Sequence, residues 1–289
     1  MKVGFLGPEG TFSEEASKLY INRLEDDADL YPYTTIHDLL LAVSKGKVRE
    51  AVLPIENSIE GTIGAVTDAL AKDVDLVIRQ EIIIPIYHYL IAQKGVNVAD
   101  ITDVISHPQA LDQCGDFLRK KMPKAKLHLA YSTAYAVRQV ALSLGERIIA
   151  HGQVKGSVFA AIGNKSTAAL YELKVLAEKI NAKDNQTRFV VVAKQDHPRS
   201  GKDKTSIVFS IDCDRPGGLH DVLAVFAVKN INLTKIESRP SKKALGDYYF
   251  FADLEGHRQD KVVAQVLEEI KKKTSFLKLL GSYPKAKTR

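Results

Sequence analysis

The sequence has few cysteines and no recognisable metal-binding pattern. Its two cysteines, Cys114 and Cys213, lie far apart in the 289-residue chain and match no metal or redox spacing. We expect both to be buried, reduced thiols, because free cysteine packs as a small hydrophobic residue. None of the eight histidines lies in a metal-ligand spacing such as His-Glu-x-x-His. The sequence therefore predicts a fold that needs neither disulfides nor a metal.

Long apolar runs are also lacking. The stretch from Ile82 to Ile86 is interrupted by Pro85, and a membrane-spanning helix needs about 20 consecutive apolar residues. After Met1 and Lys2 there is no apolar segment with a cleavage site, as a signal peptide requires. We expect a chain that has no membrane partner and resides in the reducing cytoplasm.

Positive charge is in excess only in the last third of the chain. Residues 1–200 contain 24 Lys and Arg and 24 Asp and Glu residues, whereas residues 201–289 contain 17 and 11. A basic region can bind nucleic acid, but these charges are scattered, apart from Lys271–Lys273 and the C-terminal tail. We interpret Lys271–Lys273 as the solvated end of a helix, where cations complement the helix dipole. No nucleic-acid partner is expected.

Motifs of several common enzyme classes are absent. The segment Gly4–Gly10 is rich in glycine but lacks the Gly-x-Gly-x-x-Gly spacing of dinucleotide-binding proteins. The sequence contains no P-loop and no Gly-x-Ser-x-Gly nucleophile turn. Hydride transfer, metal-dependent hydrolysis and acyl-enzyme chemistry are therefore not expected.

The first two thirds of the chain repeat one local pattern, in which a short apolar strand leads through a polar turn into a helix. Alternation of this kind predicts an α/β fold with mostly parallel sheets. In such sheets ligands bind beyond the carboxyl ends of the strands, where the polar turns lie. The predicted strands are Val3–Leu6, Glu50–Ile55, Val104–Ile105, Leu127–Tyr131, Arg147–Ala150 and Ser157–Ile162.

A second domain follows a polar linker at residues 196–204, which contains Pro198 and Gly201. The pattern beyond it is strand, helix, strand, strand, helix, strand, the βαββαβ order of a ferredoxin-like α+β domain. The predicted elements are Thr205–Cys213, Leu219–Val228, Asn232–Ser238, Asp247–Leu254, Lys261–Lys272 and Phe276–Leu280.

Several predicted helices begin with residues that cap helices. Thr11–Glu14 and Ser106–Gln109 fit the capping box, and Ser132 with Thr133 can cap a third helix. Each helix N-terminus presents free N–H groups that bind anions. Any one of these turns can be purely structural, but together they favour a polar ligand that carries carboxylates.

The segment Asn185–Phe189 precedes an apolar strand. There Arg188 could bind a carboxylate with its two parallel N–H donors while Thr187 donates a hydrogen bond or proton. An ordinary exposed strand start is the alternative, and the pattern alone leaves both open.

These segments together resemble the prephenate dehydratase family, and the last third resembles an ACT domain. The resemblance covers nearly the whole chain. The dehydratase motifs are Gly7–Ser13, Pro54–Thr62, Ser106–Leu111, Ser132–Ala134, Ala160–Gly163 and Thr187–Phe189; the ACT motifs are Arg215–Leu219, Ile231–Thr234 and Glu237–Pro240.

The resemblance implies a two-lobed catalytic domain over residues 1–195, like a periplasmic binding protein, and an ACT regulatory domain over 205–289. The implied lobes are 1–78 with 170–195, and 79–169, with the active site between them. The implied reaction removes water and carbon dioxide from prephenate and yields phenylpyruvate, for L-phenylalanine biosynthesis. No cofactor is implied, because aromatisation of the ring drives the reaction. Since the chain begins just before the first dehydratase strand, no fused chorismate mutase is expected.

The resemblance also implies site residues. Thr187 would protonate or hydrogen-bond the departing hydroxyl, and Arg188 would bind a carboxylate. Glu56 would orient its neighbours. The other implied substrate-binding residues are Phe189, Thr11, Asn57, Ser58, Thr62, Ser106, Gln109, Ser132 and Thr133.

The ACT motifs imply an allosteric site for L-phenylalanine, shared between subunits of a homodimer or homotetramer. Gly218 replaces the alanine more usual in this turn, which leaves the affinity and the direction of the response open. A purely structural ACT module, arogenate dehydration and a non-catalytic amino-acid sensor are the alternatives. The implied phenylalanine-binding residues are Gly217, Gly218, Leu219, His220, Glu237, Ser238, Arg239 and Pro240.

Overall fold

A computed structural model describes residues 1–142, 156–181, 184–211, 215–242 and 247–286. The predicted strand Arg147–Ala150 and the cysteine Cys213 lie outside these residues. Cys114 is a free thiol and fully buried, as predicted. Burial raises the pKa of Cys114 to about 12, so this thiol is not a nucleophile at neutral pH.

The described residues form strands and helices in alternation over the first two thirds of the chain. The strands are β1 (Lys2–Leu6), β2 (Asp29–Tyr33), β3 (Glu50–Asn57), β4 (Gly61–Thr62), β5 (Val77–Pro85), β6 (Tyr89–Ala92), β7 (Asp103–Ser106), β8 (Lys126–Leu129), β9 (Phe159–Gly163), β10 (Lys174–Ala177), β11 (Gln186–Ala193), β12 (Asp203–Ile211), β13 (Leu233–Pro240), β14 (Tyr248–Glu255) and β15 (Thr274–Pro284). The helices are α1 (Phe12–Ile21), α2 (Ile36–Ser44), α3 (Gly64–Lys72), α4 (Pro108–Gln113), α5 (Gly115–Lys121), α6 (Thr133–Ala141), α7 (Lys165–Leu170), α8 (Gly218–Val228) and α9 (Lys261–Lys271).

The N-terminal two thirds of the chain contain two sheets, one in each lobe. The first sheet has the order β2-β1-β3-β11-β5 with β4 beside β3, and the second has the order β10-β6-β9-β7-β8. Both are mixed rather than mostly parallel, because β11 is antiparallel to β3 and β5, and β6 is antiparallel to β9 and β10. The α/β class is confirmed, but the prediction of mostly parallel sheets is wrong.

The lobe boundaries differ from those implied by the motifs. Strand β5 pairs with β11 as far as Pro85, so the first lobe continues beyond residue 78. Strand β10 pairs with β6, so residues 174–177 belong to the second lobe rather than the first. The chain therefore crosses between the lobes near residue 87 and again between residues 178 and 185.

Side-chain capping occurs at two of the three predicted helix starts. Thr11 accepts a hydrogen bond from the Glu14 N–H (3.3 Å), and Ser132 accepts one from the Tyr135 N–H (3.0 Å). Ser106 is not a cap, because it is the last residue of β7 and its hydroxyl donates to the Ile162 carbonyl (2.7 Å). The predicted capping box at Ser106–Gln109 is therefore wrong.

The C-terminal domain has the predicted βαββαβ order, with the sheet order β13-β14-β12-β15. Helices α8 and α9 cover one face of this sheet. The opposite face packs on the first lobe, where Tyr249 and Phe251 share a core with Leu70. Gly281 approaches β5 so closely that a Cβ would lie 2.2 Å from the Ile78 carbonyl oxygen, which only glycine tolerates. None of the helices in the described parts of the chain is long and apolar enough to cross a membrane.

Candidate active site

A cavity of about 330 Å³ lies between the two lobes. Its walls come from the turn between β1 and α1, the end of β3, the connection between β5 and β6, helix α4, the start of α6 and the start of β11. The lining residues are Thr11, Phe12, Ser13, Pro54, Asn57, Glu60, Ile63, Ile86, His88, His107, Gln109, Ala110, Gln113, Tyr131, Ser132, Thr133, Asn185, Thr187 and Phe189.

The structure brings seven of the predicted residues together in this cavity. They come from segments far apart in sequence and from both lobes. These residues are Thr11, Asn57, Gln109, Ser132, Thr133, Thr187 and Phe189.

The hydrogen bonds around Thr187 determine whether its hydroxyl donates or accepts. Asn57 Oδ1 accepts from the Ile59 N–H (2.9 Å) and the Glu60 N–H (3.1 Å), so its Nδ2 must point the other way. Asn57 Nδ2 lies 2.9 Å from Thr187 Oγ1 and donates to it. Because the Thr187 oxygen is an acceptor in this bond, its own hydrogen remains available to a ligand.

Asn57 also donates to a chain of side chains that crosses the cleft and that the sequence did not reveal. Asn57 Nδ2 donates to Asn185 Oδ1 (2.8 Å), and Asn185 Nδ2 donates to Gln113 Oε1 (2.8 Å). His88 Nε2 lies 3.2 Å from the same Gln113 oxygen. Since an amide oxygen only accepts, His88 must carry its proton on Nε2 when it is neutral.

Arg188 does not reach the cavity, so its assignment as the carboxylate-binding residue is wrong. Successive side chains of a strand point to opposite faces, and Thr187 and Phe189 take the cavity side. The Arg188 side chain is 10% exposed and turns to the C-terminal domain. There it forms ion pairs with Asp253 (2.8 Å), Glu56 (2.9 Å) and Glu81 (3.5 Å).

Four further predicted residues lie outside the cavity wall. Glu56 is bound by Arg188 and by Lys235 (3.3 Å). Thr62 donates to Glu237 of the C-terminal domain. Ser58 donates to the Asp184 carbonyl (3.1 Å), and Ser106 is fully buried within the second lobe. These side chains bind protein groups and do not line the cavity, and their assignment as substrate-binding residues stays a prediction.

The described lining of the cavity contains no guanidinium or ammonium group to bind an anion. Among the described residues that line it, Glu60 is the only Asp or Glu, and none is Lys or Arg. Helices α1 and α6 direct their N-termini to the cavity through Thr11, Phe12, Ser132 and Thr133. Free N–H groups and the positive end of the helix dipole suit carboxylates. Within the described chain, no group of three or more His, Cys, Asp or Glu side chains is arranged to hold a metal ion.

His88 makes the stability of the fold depend on pH. It is 4% exposed, and burial lowers its pKa to about 4 from 6.5. The unfolded chain takes up this proton near pH 6.5 and the folded chain only near pH 4, so unfolding becomes easier as pH falls between them. The free energy of unfolding therefore falls by about 3 kcal/mol over this range, at about 1.36 kcal/mol per unit of pKa shift.

We therefore expect His88→Gln to weaken this pH dependence. Between pH 6.5 and pH 4, the free energy of unfolding measured in urea should fall by about 3 kcal/mol more for the wild type than for the variant. The matched control is His37→Gln, at an exposed position. Equal losses in the wild type and in His88→Gln would contradict the buried, neutral state of His88.

The predicted phenylalanine-binding residues lie at the start of α8 and on both sides of strand β13. Gly217, with φ of 83°, precedes α8, and the His220 side chain is 80% exposed. On β13, Glu237 and Arg239 face the first lobe, where Arg239 pairs with Asp68 (3.2 Å). Ser238 and Pro240 lie on the opposite side of the strand and are exposed.

Comparison with known proteins agrees with this architecture. The prephenate dehydratase family model matches residues 3–197, which is more than half of the chain. The chain belongs to the prephenate dehydratase family. The ACT domain family model matches residues 205–272. The resemblance inferred from the motifs is therefore confirmed for both domains.

Relatives and solved structures of the family align over most of the chain. The bifunctional chorismate mutase/prephenate dehydratase of Aquifex aeolicus is 40% identical over 99% of this chain and 74% of its own length. The prephenate dehydratase of Methanocaldococcus jannaschii is 39% identical over 96% of both chains. The structure of the Arthrobacter aurescens prephenate dehydratase in complex with L-Phe has a TM-score of 0.85 at 34% identity, over 99% of this chain and 90% of that one. The Staphylococcus aureus enzyme has a TM-score of 0.79 at 28% identity, over 98% and 100%.

Proposed function

We propose that the chain is a prephenate dehydratase and that the cavity between its lobes is the active site. The observation that carries the proposal is the Thr187 hydroxyl, which lines the cavity and accepts a hydrogen bond from Asn57. Its hydrogen is then available to the hydroxyl that leaves the substrate ring. Membership of the family supports the same activity.

The reaction breaks two bonds and needs one proton. The ring carboxylate leaves as carbon dioxide, and the electron pair of its C–C bond moves into the ring. The C–O bond to the ring hydroxyl breaks, and a proton converts the departing oxygen to water. The dianion and one proton thus give the phenylpyruvate monoanion, carbon dioxide and water. Since the ring becomes aromatic, the protein has only to position the substrate and supply the proton.

A threonine hydroxyl is a weak acid, so its position must account for its effect. Thr187 is 7% exposed, and Phe189 beside it on the cavity side is 1% exposed. A hydrogen bond from a fixed hydroxyl in such a site strengthens as negative charge develops on the departing oxygen. Phe12, Ile63 and Ile86 provide apolar surface for the ring. The carboxylates would lie at the N-termini of α1 and α6.

The test is turnover of prephenate, followed by the appearance of phenylpyruvate. The proposal expects turnover by the wild-type chain without added cofactor or metal. Binding of prephenate without any phenylpyruvate would overturn it and favour a non-catalytic sensor.

Arogenate is a second candidate substrate, because it carries an ammonium group where prephenate has a ketone. Glu60, the acidic side chain of the lining, would attract that group. Values of kcat/KM measured on both substrates decide between them.

We further propose that L-phenylalanine binds at the ACT domain between two copies of the chain. The complex of the Arthrobacter aurescens relative with L-Phe supports this. Strand β13 pairs only with β14 among the described strands, which leaves its other edge open to a second copy. Ser238 and Pro240 are exposed on this strand. Sedimentation with and without phenylalanine distinguishes monomer, dimer and tetramer.

We also propose a cytoplasmic location, since Cys114 is an unpaired thiol.

Ser238→Arg should weaken phenylalanine binding more than tenfold, because a long cation would occupy the proposed interface. Prephenate turnover without phenylalanine should persist. The matched control is Ser275→Arg, at an exposed position of β15 on the other edge of the same sheet. Calorimetry with millimolar phenylalanine measures the effect. Unchanged binding by Ser238→Arg, or no heat with the wild type, would contradict this placement.

A further inference from the structure

Glu60 connects the two lobes across the mouth of the cavity. It lies between β3 and β4 in the first lobe, and its two carboxylate oxygens accept from two glutamines of the second lobe. Oε2 accepts from Gln109 Nε2 and Oε1 from Gln113 Nε2, each at 3.2 Å. Both glutamines belong to α4 and are four residues apart, so they lie on one face of the helix. We name these three residues the Glu60 clasp.

The clasp is joined to Thr187 from both of its ends. On the first lobe, Asn57 Oδ1 accepts from the Glu60 backbone N–H, and Asn57 Nδ2 donates to Thr187. On the second lobe, Gln113 donates to Glu60 with its nitrogen and accepts from Asn185 with its oxygen. Asn185 in turn accepts from Asn57. The closed ring of hydrogen bonds leaves each amide only one orientation.

We propose that Glu60 is a positioning residue for the dehydration, whose carboxylate fastens the second lobe onto the first and thereby aligns Thr187. The inference rests on the proposed function, because alignment is defined with respect to the departing hydroxyl. Glu60 itself takes no part in bond breaking.

A carboxylate suits this position better than an amide. Both glutamines present N–H₂ groups to residue 60, and only a carboxylate offers two accepting oxygens. In Glu60→Gln one N–H₂ group must face another, so one of the two cross-lobe hydrogen bonds is lost. Because Glu60 is exposed, water competes for both hydrogen bonds, and losing one of them weakens the link less than it would in a buried site.

Exchanging donor and acceptor provides the test. In Glu60→Gln we expect kcat to fall about tenfold, with KM changed less than threefold. In Gln113→Glu the loss should be larger, because two carboxylates would then face each other across the cleft. The double variant restores the pattern: the new amide donates to the new carboxylate, which still accepts from Asn185 and His88. Its kcat should return to within about threefold of the wild type.

The outcomes separate the inference from the function on which it rests. No phenylpyruvate from the wild type would defeat the proposed function. Wild-type turnover with an unchanged kcat in Glu60→Gln would defeat the inference alone. So would a lower KM at unchanged kcat, since Glu60 would then repel the substrate rather than position Thr187. A loss in the single variants that the exchange does not restore would also overturn it. Melting temperatures of all three variants show whether they are folded.

Discussion

Replacing Thr187 with valine is expected to lower kcat for prephenate by about 10²–10⁴-fold, the usual effect of losing one well-placed proton donor. Valine keeps the branched shape of threonine and suits β11, so packing of the strand changes little. What is lost is the one hydroxyl that Asn57 holds with its oxygen as acceptor and its hydrogen free. Because the cavity retains its other donors, KM should change much less than kcat.

Thr187→Ser supplies the matched control, since it keeps a hydroxyl at the same atom position. It should retain at least a tenth of wild-type kcat, because Asn57 can donate to serine as well. Single-turnover formation of phenylpyruvate measures the chemical step directly. Activity of Thr187→Val within threefold of the wild type would show that another group protonates the leaving oxygen.

The sequence predicted Thr187 correctly as a cavity residue but placed Arg188 with it. Two residues that are adjacent in a motif are not adjacent in space when the motif lies on a strand, because alternate side chains face opposite sides. The apolar run Val190–Ala193 already indicated a strand. Extending its alternation back to residue 187 would have separated Arg188 from Thr187.

Some of the site residues that the sequence analysis missed could have been predicted, and others could not. Gln113 follows Gln109 by four residues on a predicted helix, so helical periodicity alone could have placed both on one face. His88 and Asn185 meet Gln113 only because the chain crosses twice between the lobes. Nothing local in the sequence fixes that crossing. The same reason explains the lobe boundaries, since the pairing of β5 with β11 joins residues more than 100 positions apart.

Arg188 has a structural role in place of the predicted carboxylate-binding one. It lies beside Thr187 on β11, and its guanidinium contacts carboxylates from three strands. Glu56 comes from β3, Glu81 from β5 and Asp253 from β14 of the C-terminal domain. Burial alone would lower the pKa of Arg188, but Asp253 and the neighbouring carboxylates raise it overall. The charge is therefore permanent, and it links the ACT domain to the strand that carries Thr187.

Arg188→Met should therefore destabilise the protein by about 3–5 kcal/mol, the usual cost of removing one partner from a buried ion pair. Methionine fills much of the volume but leaves Asp253, which is 9% exposed, without the cation it pairs with, whereas Glu81 keeps Lys204 (3.1 Å). Arg119→Met is the matched control, because that side chain is 74% exposed and pairs with Asp116, which is 84% exposed. It should change the unfolding free energy by less than about 0.5 kcal/mol.

Urea unfolding at pH 7 measures both variants, and a second variant separates charge from geometry. Arg188→Lys keeps the positive charge but lacks the planar group that contacts three carboxylates at once, so its stability should fall between those of the wild type and Arg188→Met. If Arg188→Met unfolds within 1 kcal/mol of the wild type, the three carboxylates do not depend on this cation. If the stability falls as expected, the folded Arg188→Met protein still has the Thr187 hydroxyl. Its kcat should therefore fall less than the kcat of Thr187→Val. The two neighbours on β11 would then serve separate purposes, the one facing the substrate and the other joining the domains.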